Sequence, residues 1–189
     1  MRTLAVLGMS VMLVAFFFQC CPTTPAEVRP PGQQLPTSLP TERPLYSLVG
    51  SSPENPVPLG HTLVTPYGAA ITVQGIRARG EEAGRLAQEW NAFNTPEPDN
   101  EYVILSATVV YEGNDADSLR VSQYDFKVAV GTVIFDHAFA VVMEGNELEG
   151  EMLPGGRIDG LLIFEVPQGS TGVVLIYEEL FEKYYLATE

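Results

Sequence analysis

Glu101 to Tyr111 (EYVILSATVVY) alternates at period two with apolar residues on both sides, and no other stretch restricts the fold as tightly. Val103, Leu105, Ala107, Val109 and Tyr111 share one face, and Tyr102, Ile104, Ser106, Thr108 and Val110 share the other. That is the pattern of a central strand covered on both sides. Arg157 to Val166 behaves alike: Ile158, Gly160, Leu162, Phe164 and Val166 go one way, and Asp159, Leu161, Ile163 and Glu165 the other. Further strand candidates are 69–78, 124–130, 132–136, 138–143, 172–177 and 182–187. Between them stand turn signals at Gly113-Asn114-Asp115, Gly145-Asn146, Pro154-Gly155-Gly156 and Pro167-Gln168-Gly169. Seven or eight short strands at this spacing, with no βαβ alternation, predict a sandwich or a barrel.

One segment departs from the strand pattern. In Gly80 to Asn94 (GEEAGRLAQEWNAFN), Ala83, Leu86, Ala87, Trp90 and Phe93 recur at helical spacing, and Thr95-Pro96-Glu97-Pro98 closes the run. The spacing predicts a short helix inserted between two core strands, carrying the chain's one tryptophan. Leu86, Trp90 and Phe93 then either cap an open edge of the sandwich or present Trp90, exposed, as an aromatic anchor for a partner.

The N-terminus carries an address. Met1-Arg2 and an apolar run from Leu4 to Phe18 precede Cys20 and Cys21, the only cysteines of the chain. This resembles bacterial lipoprotein signal peptides, which are cleaved before a cysteine that receives a lipid. The resemblance implies lipid attachment at Cys21, with Cys20 as the alternative, residues 1–20 being the signal segment. An uncleaved anchor is the other reading, although about 20 apolar residues are needed to span a bilayer. Either way the chain is expected at the cell membrane, facing the extracytoplasmic side. Residues 21–58 hold ten of the fifteen prolines; proline lacks the backbone donor that a helix or ladder needs, so this is a disordered, flexible Pro/Thr-rich linker.

Residues 59–189 remain for one domain, long enough to bury a core. They contain no cysteine, so stability rests on packing. Seven Lys/Arg stand against 21 Asp/Glu there, and the whole chain carries a formal charge of −14. Such a field repels phosphate, which excludes nucleic acid as a partner and leaves cationic groups, proteins or divalent metal.

With these strands in place the domain resembles an immunoglobulin-like family of bacterial lipoproteins known as a domain of unknown function, similar in fold to the immunoprotective extracellular proteins. The matching residues are Leu59-Gly60-His61-Thr62, Tyr67-Gly68, Asn100-Glu101-Tyr102-Val103, Gly113-Asn114, Asp125-Phe126, Leu153-Pro154-Gly155-Gly156 with Gly160, and Phe164-Glu165-Val166-Pro167. Where the family carries a polar hairpin, this chain reads Val128 to Phe135, an apolar stretch. The resemblance implies an all-β, immunoglobulin-like β-sandwich with one short inserted helix, and no reaction.

Catalytic signatures are absent from the sequence. His61 and His137 are the only histidines, too few for a zinc site without cysteine in the domain. Met143 and Met152 beside His137 would suit copper, although methionines in strand patterns are ordinarily core. No Gly-x-Ser-x-Gly elbow or phosphate-cradling glycine loop occurs. Asn114, Asp115 and Asp117 place three oxygen donors in one loop, and Glu144, Glu147, Glu149 and Glu151 line another; hard cations need six to eight oxygens, and solvated turn acids are the alternative. No cofactor is expected. The sequence predicts a tethered binding or scaffolding module for an envelope or extracellular protein, not an enzyme, with a calcium- or small-ligand-binding module as the alternative.

Overall fold

The computed structural model of the chain describes residues 49–113, 118–143 and 146–189. The signal segment, both cysteines and most of the linker lie outside them, as do Asn114, Asp115, Asp117 and Glu144. Among the described residues no helix is long and apolar enough to cross a membrane.

Among the described residues there are three antiparallel sheets. The first has strand order β1-β2-β3-β8, from β1 (Thr62–Val64), β2 (Ala69–Arg79), β3 (Asn100–Tyr111) and β8 (Arg157–Pro167). The second runs β10-β9-β5-β6, from β5 (Phe126–Val130), β6 (Val133–Phe135), β9 (Val173–Glu179) and β10 (Glu182–Ala187). A two-stranded piece pairs β4 (Leu119–Val121) with β7 (Gly150–Met152). β3 is the central strand its pattern predicts, bonded to β2 on one side and to β8 on the other.

The main core lies between the two large sheets. Val103, Leu105, Ala107 and Val109 of β3 and Leu162, Phe164 and Val166 of β8 meet Phe126, Val128, Leu175 and Tyr177 of the second sheet. A second apolar cluster covers the outer face of the first sheet. There Tyr102, Ile104 and Ile163 lie under Ala83 and Ala87 of helix α1 (Gly80–Trp90) and under Ala138 and Val142. Both faces of β3 are thus buried, which is why both of its faces are apolar. The first packed residues precede position 59: Val57 belongs to the main core and bridges Leu186 of β10.

Seven of the eight expected strands form a ladder where the sequence places them. The eighth, 138–143, does not. Its alternation is real: Ala138 and Val142 are buried, while Phe139, Val141 and Met143 are exposed. But it lies as a strap at the edge of β8, tied by Ala138 N–H to the Ile163 carbonyl and bent at Phe139, where Ala140 N–H bonds the Ala138 carbonyl. Further along, Leu161 N–H bonds the Asn146 carbonyl and Leu148 N–H bonds the Leu161 carbonyl. The strap therefore covers an edge that would otherwise expose unpaired backbone groups. β1, β4 and β7, three residues each, are too short for the alternation to announce. Residues 123–125 form a 3-10 turn capped by Ser122 and Asp125, so β5 begins at Phe126.

Candidate functional site

Helix α1 and the strap share the outer face of the first sheet, and Asn94 locks them together. Its buried amide donates to the carbonyls of Ala87 (2.9 Å) and Val141 (2.7 Å), and its Oδ1 accepts from Val141 N–H (3.0 Å). Helix α1 ends four residues earlier than the pattern over Gly80–Asn94 suggests, because the chain turns extended at Asn91. That early end splits the three residues expected to act together. Leu86 and Trp90 are half-buried against the outer cluster, so Trp90 is neither fully covered nor fully exposed. Phe93, beyond the helix, is 93 % exposed. It directly precedes Asn94 in the chain, and Asn94 is bonded to Val141 of the outward row of Phe139, Val141 and Met143, of which Phe139 is fully exposed at 105 %.

A groove of about 600 Å³ opens on the same sheet face beside α1. Leu86 and Trp90 line one side of it, together with Leu161 and Arg157 of β8 and Asn146. The floor is polar and connected across three strands. Gln74 Nε2 donates to Thr108 Oγ1 (2.5 Å), which donates to Asp159 Oδ1 (2.5 Å), and Arg157 grips the same carboxylate at 2.6 and 2.8 Å. The Arg157 hydrogen bonds and that of Thr108 hold the Asp159 carboxyl down at about 2. The sequence reading missed Gln74 and Arg77, the two residues at which β2 is bulged; Gln74 faces outward by plain alternation, and the first bulge turns Arg77 to the same face. The ladder with β3 skips Gln74 between Val73 and Gly75, and skips Arg77 between Ile76 and Ala78. The signal was present: inward apolar residues sit at odd positions through Ile71 and Val73, then move to Ile76 after Gly75, whose φ of 126° suits a bulge.

A larger cleft of about 870 Å³ lies where the ends of several strands meet, lined by Tyr67, Tyr111 and Tyr177 with Glu112, Asp125, Glu178 and Glu179, against the single cation Arg120. Burial, then the neighbouring Glu179 carboxylate, pushes the Tyr177 phenol well above its ordinary value. Burial also raises Asp125. Glu179 Oε1 accepts from the Tyr177 hydroxyl (3.3 Å), while its Oε2 is buried and accepts no hydrogen bond among the described residues.

For metal, no group of three His, Cys, Asp or Glu is placed to hold an ion among the described residues. The calcium candidates Asn114, Asp115 and Asp117 lie outside those residues. The copper candidates are not brought together: Met152 is buried in the main core, Met143 is exposed on the strap, and His137 stacks edge-on to Tyr124 and Phe164.

A family model described as Domain of unknown function (DUF4352) matches residues 68–186. No curated protein matches the chain. Among solved structures, the yjhA protein from Bacillus subtilis is similar at 14 % identity and a TM-score of 0.51, over 70 % of this chain and 99 % of that one. The candidate lipoprotein ycdA of Bacillus subtilis subsp. subtilis str. 168 is similar at 13 % identity and a TM-score of 0.50, over 67 % of this chain and 38 % of that one. The secreted protein MPT63 from Mycobacterium tuberculosis is similar at 13 % identity and a TM-score of 0.50, over 70 % of this chain and 97 % of that one. At such identities the likeness establishes the β-sandwich fold.

Proposed function

The chain belongs to the family described as Domain of unknown function (DUF4352), and from that premise we propose that it is a membrane-tethered, extracytoplasmic binding module that docks a protein and catalyses no reaction. One observation carries the reading: Phe93, Phe139, Val141 and Met143 stand exposed around the Asn94 clamp. Single exposed apolar side chains are ordinary, whereas several close together along one tied-down segment mark an interaction surface. The address is supported by the lipoprotein-like Cys20-Cys21 segment and by the fold shared with a candidate lipoprotein and a secreted protein.

The partner's chemistry follows from charge. With Glu81, Glu82 and Glu89 on α1 and a formal charge of −14, the surroundings of the patch attract a basic rim and repel an anionic lipid face. The partner is therefore a protein with an apolar patch ringed by Lys and Arg. The paired substitution Phe93→Ser with Phe139→Ser tests this in the full chain. Because both side chains are exposed, thermal stability stays within about 0.5 kcal/mol. A partner that crosslinks to the parent chain in intact cells is lost from the variant; equal recovery from both chains refutes the assignment.

The large cleft favours a second reading, a calcium- or cation-binding envelope module, because the buried Glu179 Oε2 there has no hydrogen-bond partner. On that reading millimolar calcium raises the melting temperature saturably, and an unmoved transition removes it.

A further inference from the structure

The two bulges of β2 aim side chains of one kind at one place. A bulge adds a residue that no partner opposes and shifts the alternation of the residues after it. Here the two added residues are Gln74 and Arg77, and both line the groove beside Trp90. Bulges three residues apart in one strand weaken its ladder twice, and the feature they create in common is this polar lining.

Arg77 is set apart from the other cations of the domain. Arg79 pairs with Glu101, Arg85 with Glu89, Arg157 with Asp159, and Lys127 and Lys183 with Glu178. Arg120 lies near Asp125. Arg77 makes no ion pair or hydrogen bond among the described residues, although acids outnumber bases three to one in 59–189. The groove thus offers one uncommitted guanidinium, the neutral polar side chains of Gln74 (one amide hydrogen given to Thr108), Ser106 (its hydroxyl given to the Gly75 carbonyl, still an acceptor) and Asn146, and the apolar side chains of Trp90, Leu86 and Leu161.

The geometry points to a binding site for a sugar bearing a single carboxylate. The carboxylate pairs with Arg77, whose planar fork matches it. The ring hydroxyls and any acyl-amide group meet Gln74, Ser106 and Asn146, and the apolar C–H face of the ring lies on Trp90. The charge count fixes one carboxylate rather than several: Arg157 is already held by Asp159, and the domain's field repels polyanions. The cavity falls within the range of small-ligand sites, roughly 300–1,000 Å³. This goes beyond the docking of a protein on the strap, because the groove takes a small molecule and Phe93 and Phe139 do not line it.

Trp90 is the chain's only tryptophan, so its fluorescence reports this groove alone. The full chain, kept in detergent, is titrated with three probes to about 10 mM, which covers dissociation constants near 1 mM. N-acetylmuramic acid carries the sugar and the carboxylate, N-acetylglucosamine lacks the carboxylate, and acetyl-trialanine carries a carboxylate without a sugar. The expected result is a saturable emission change with N-acetylmuramic acid, about tenfold weaker binding of N-acetylglucosamine, and no response to the peptide. Arg77→Gln, at an exposed position, keeps the melting temperature and erases the difference between the two sugars. An unmoved emission with N-acetylmuramic acid, equal binding of both sugars by the parent, an equal response to acetyl-trialanine, or undiminished discrimination in Arg77→Gln each overturns the site.

Discussion

A Cβ on Gly160 of β8 would lie 2.5 Å from the backbone N of Leu148 and 2.6 Å from its Cα. Leu148 is fully buried in the main core, so the chain after the strap enters the sandwich through the space that Gly160 leaves empty. The same crossing bonds Leu161 N–H to Asn146 and sets Asn146 at the rim of the groove. One missing side chain therefore couples edge protection, core packing and the candidate site.

Gly160→Ala forces backbone against backbone and is expected to destabilise by about 1–3 kcal/mol, the usual range for overpacking. Thermal unfolding checks it, with a fall of roughly 3–10 °C for a domain of this size. An unchanged transition would mean that the strap is not held against β8.

Asn94→Ala removes three hydrogen bonds at a buried residue and leaves the Val141 N–H without its acceptor. A loss of roughly 2–4 kcal/mol is expected. Because Asn94 ties the strap to α1, limited proteolysis of the variant should cut between 138 and 143 before anywhere else in the domain. Uniform cutting would show that Asn94 does not clamp the strap.

The β9–β10 hairpin turns on Leu180 and Phe181, at φ of 45° and 75°. Two-residue turns with both central φ positive favour Asn-Gly, and side-chain-bearing residues there are strained. Leu180→Asn with Phe181→Gly is expected to stabilise by about 1–2 kcal/mol, raising the melting temperature. A lower melting temperature would place the two side chains in contacts that this structure does not contain.

His137 Nε2 is buried without a hydrogen-bond partner among the described residues, and burial holds the ring's pKa down at about 4. The ordinary value in an unfolded chain is about 6.5, so between these values the unfolded chain binds the proton more readily. Its contribution to stability is complete above about pH 6.5 and is lost as pH falls toward 4, by on the order of 2 kcal/mol. His137→Phe, which keeps a ring against Phe164 and Tyr124, should flatten that part of the stability curve. Urea unfolding at pH 4.5 and pH 7 measures it; an equal slope in both chains would assign the acid sensitivity to carboxylates.

The faces of β3 and β8 were legible because burial on both sides places apolar residues on both faces, with Ser106, Thr108, Asp159 and Glu165 as polar exceptions on the outer one, and helix α1 because Ala83, Leu86, Ala87 and Trp90 keep a 3.6 period. The strap was legible as alternation but not as a strap: Ala138 and Val142 face in whether or not a neighbour bonds the backbone. Arg77 was hidden for a different reason. A bulge changes the direction of a side chain without changing residue type, and only the displacement of apolar positions around Gly75 records it. Phe93 reads as part of the helix because periodicity carries no mark of Asn94 turning inward to close the helix and hold Val141.

The central claim is that the outward face of the strap binds a protein, and one pair of positions tests it. Phe139 and Phe181 are equally exposed, both at 105 %, on the strap and on the β9–β10 hairpin. A photo-crosslinking residue is placed at one or the other in the full chain, and intact cells are irradiated. The account predicts a discrete crosslinked protein from position 139 and none from position 181. Matching crosslinks from both positions, or none from 139, would contradict it.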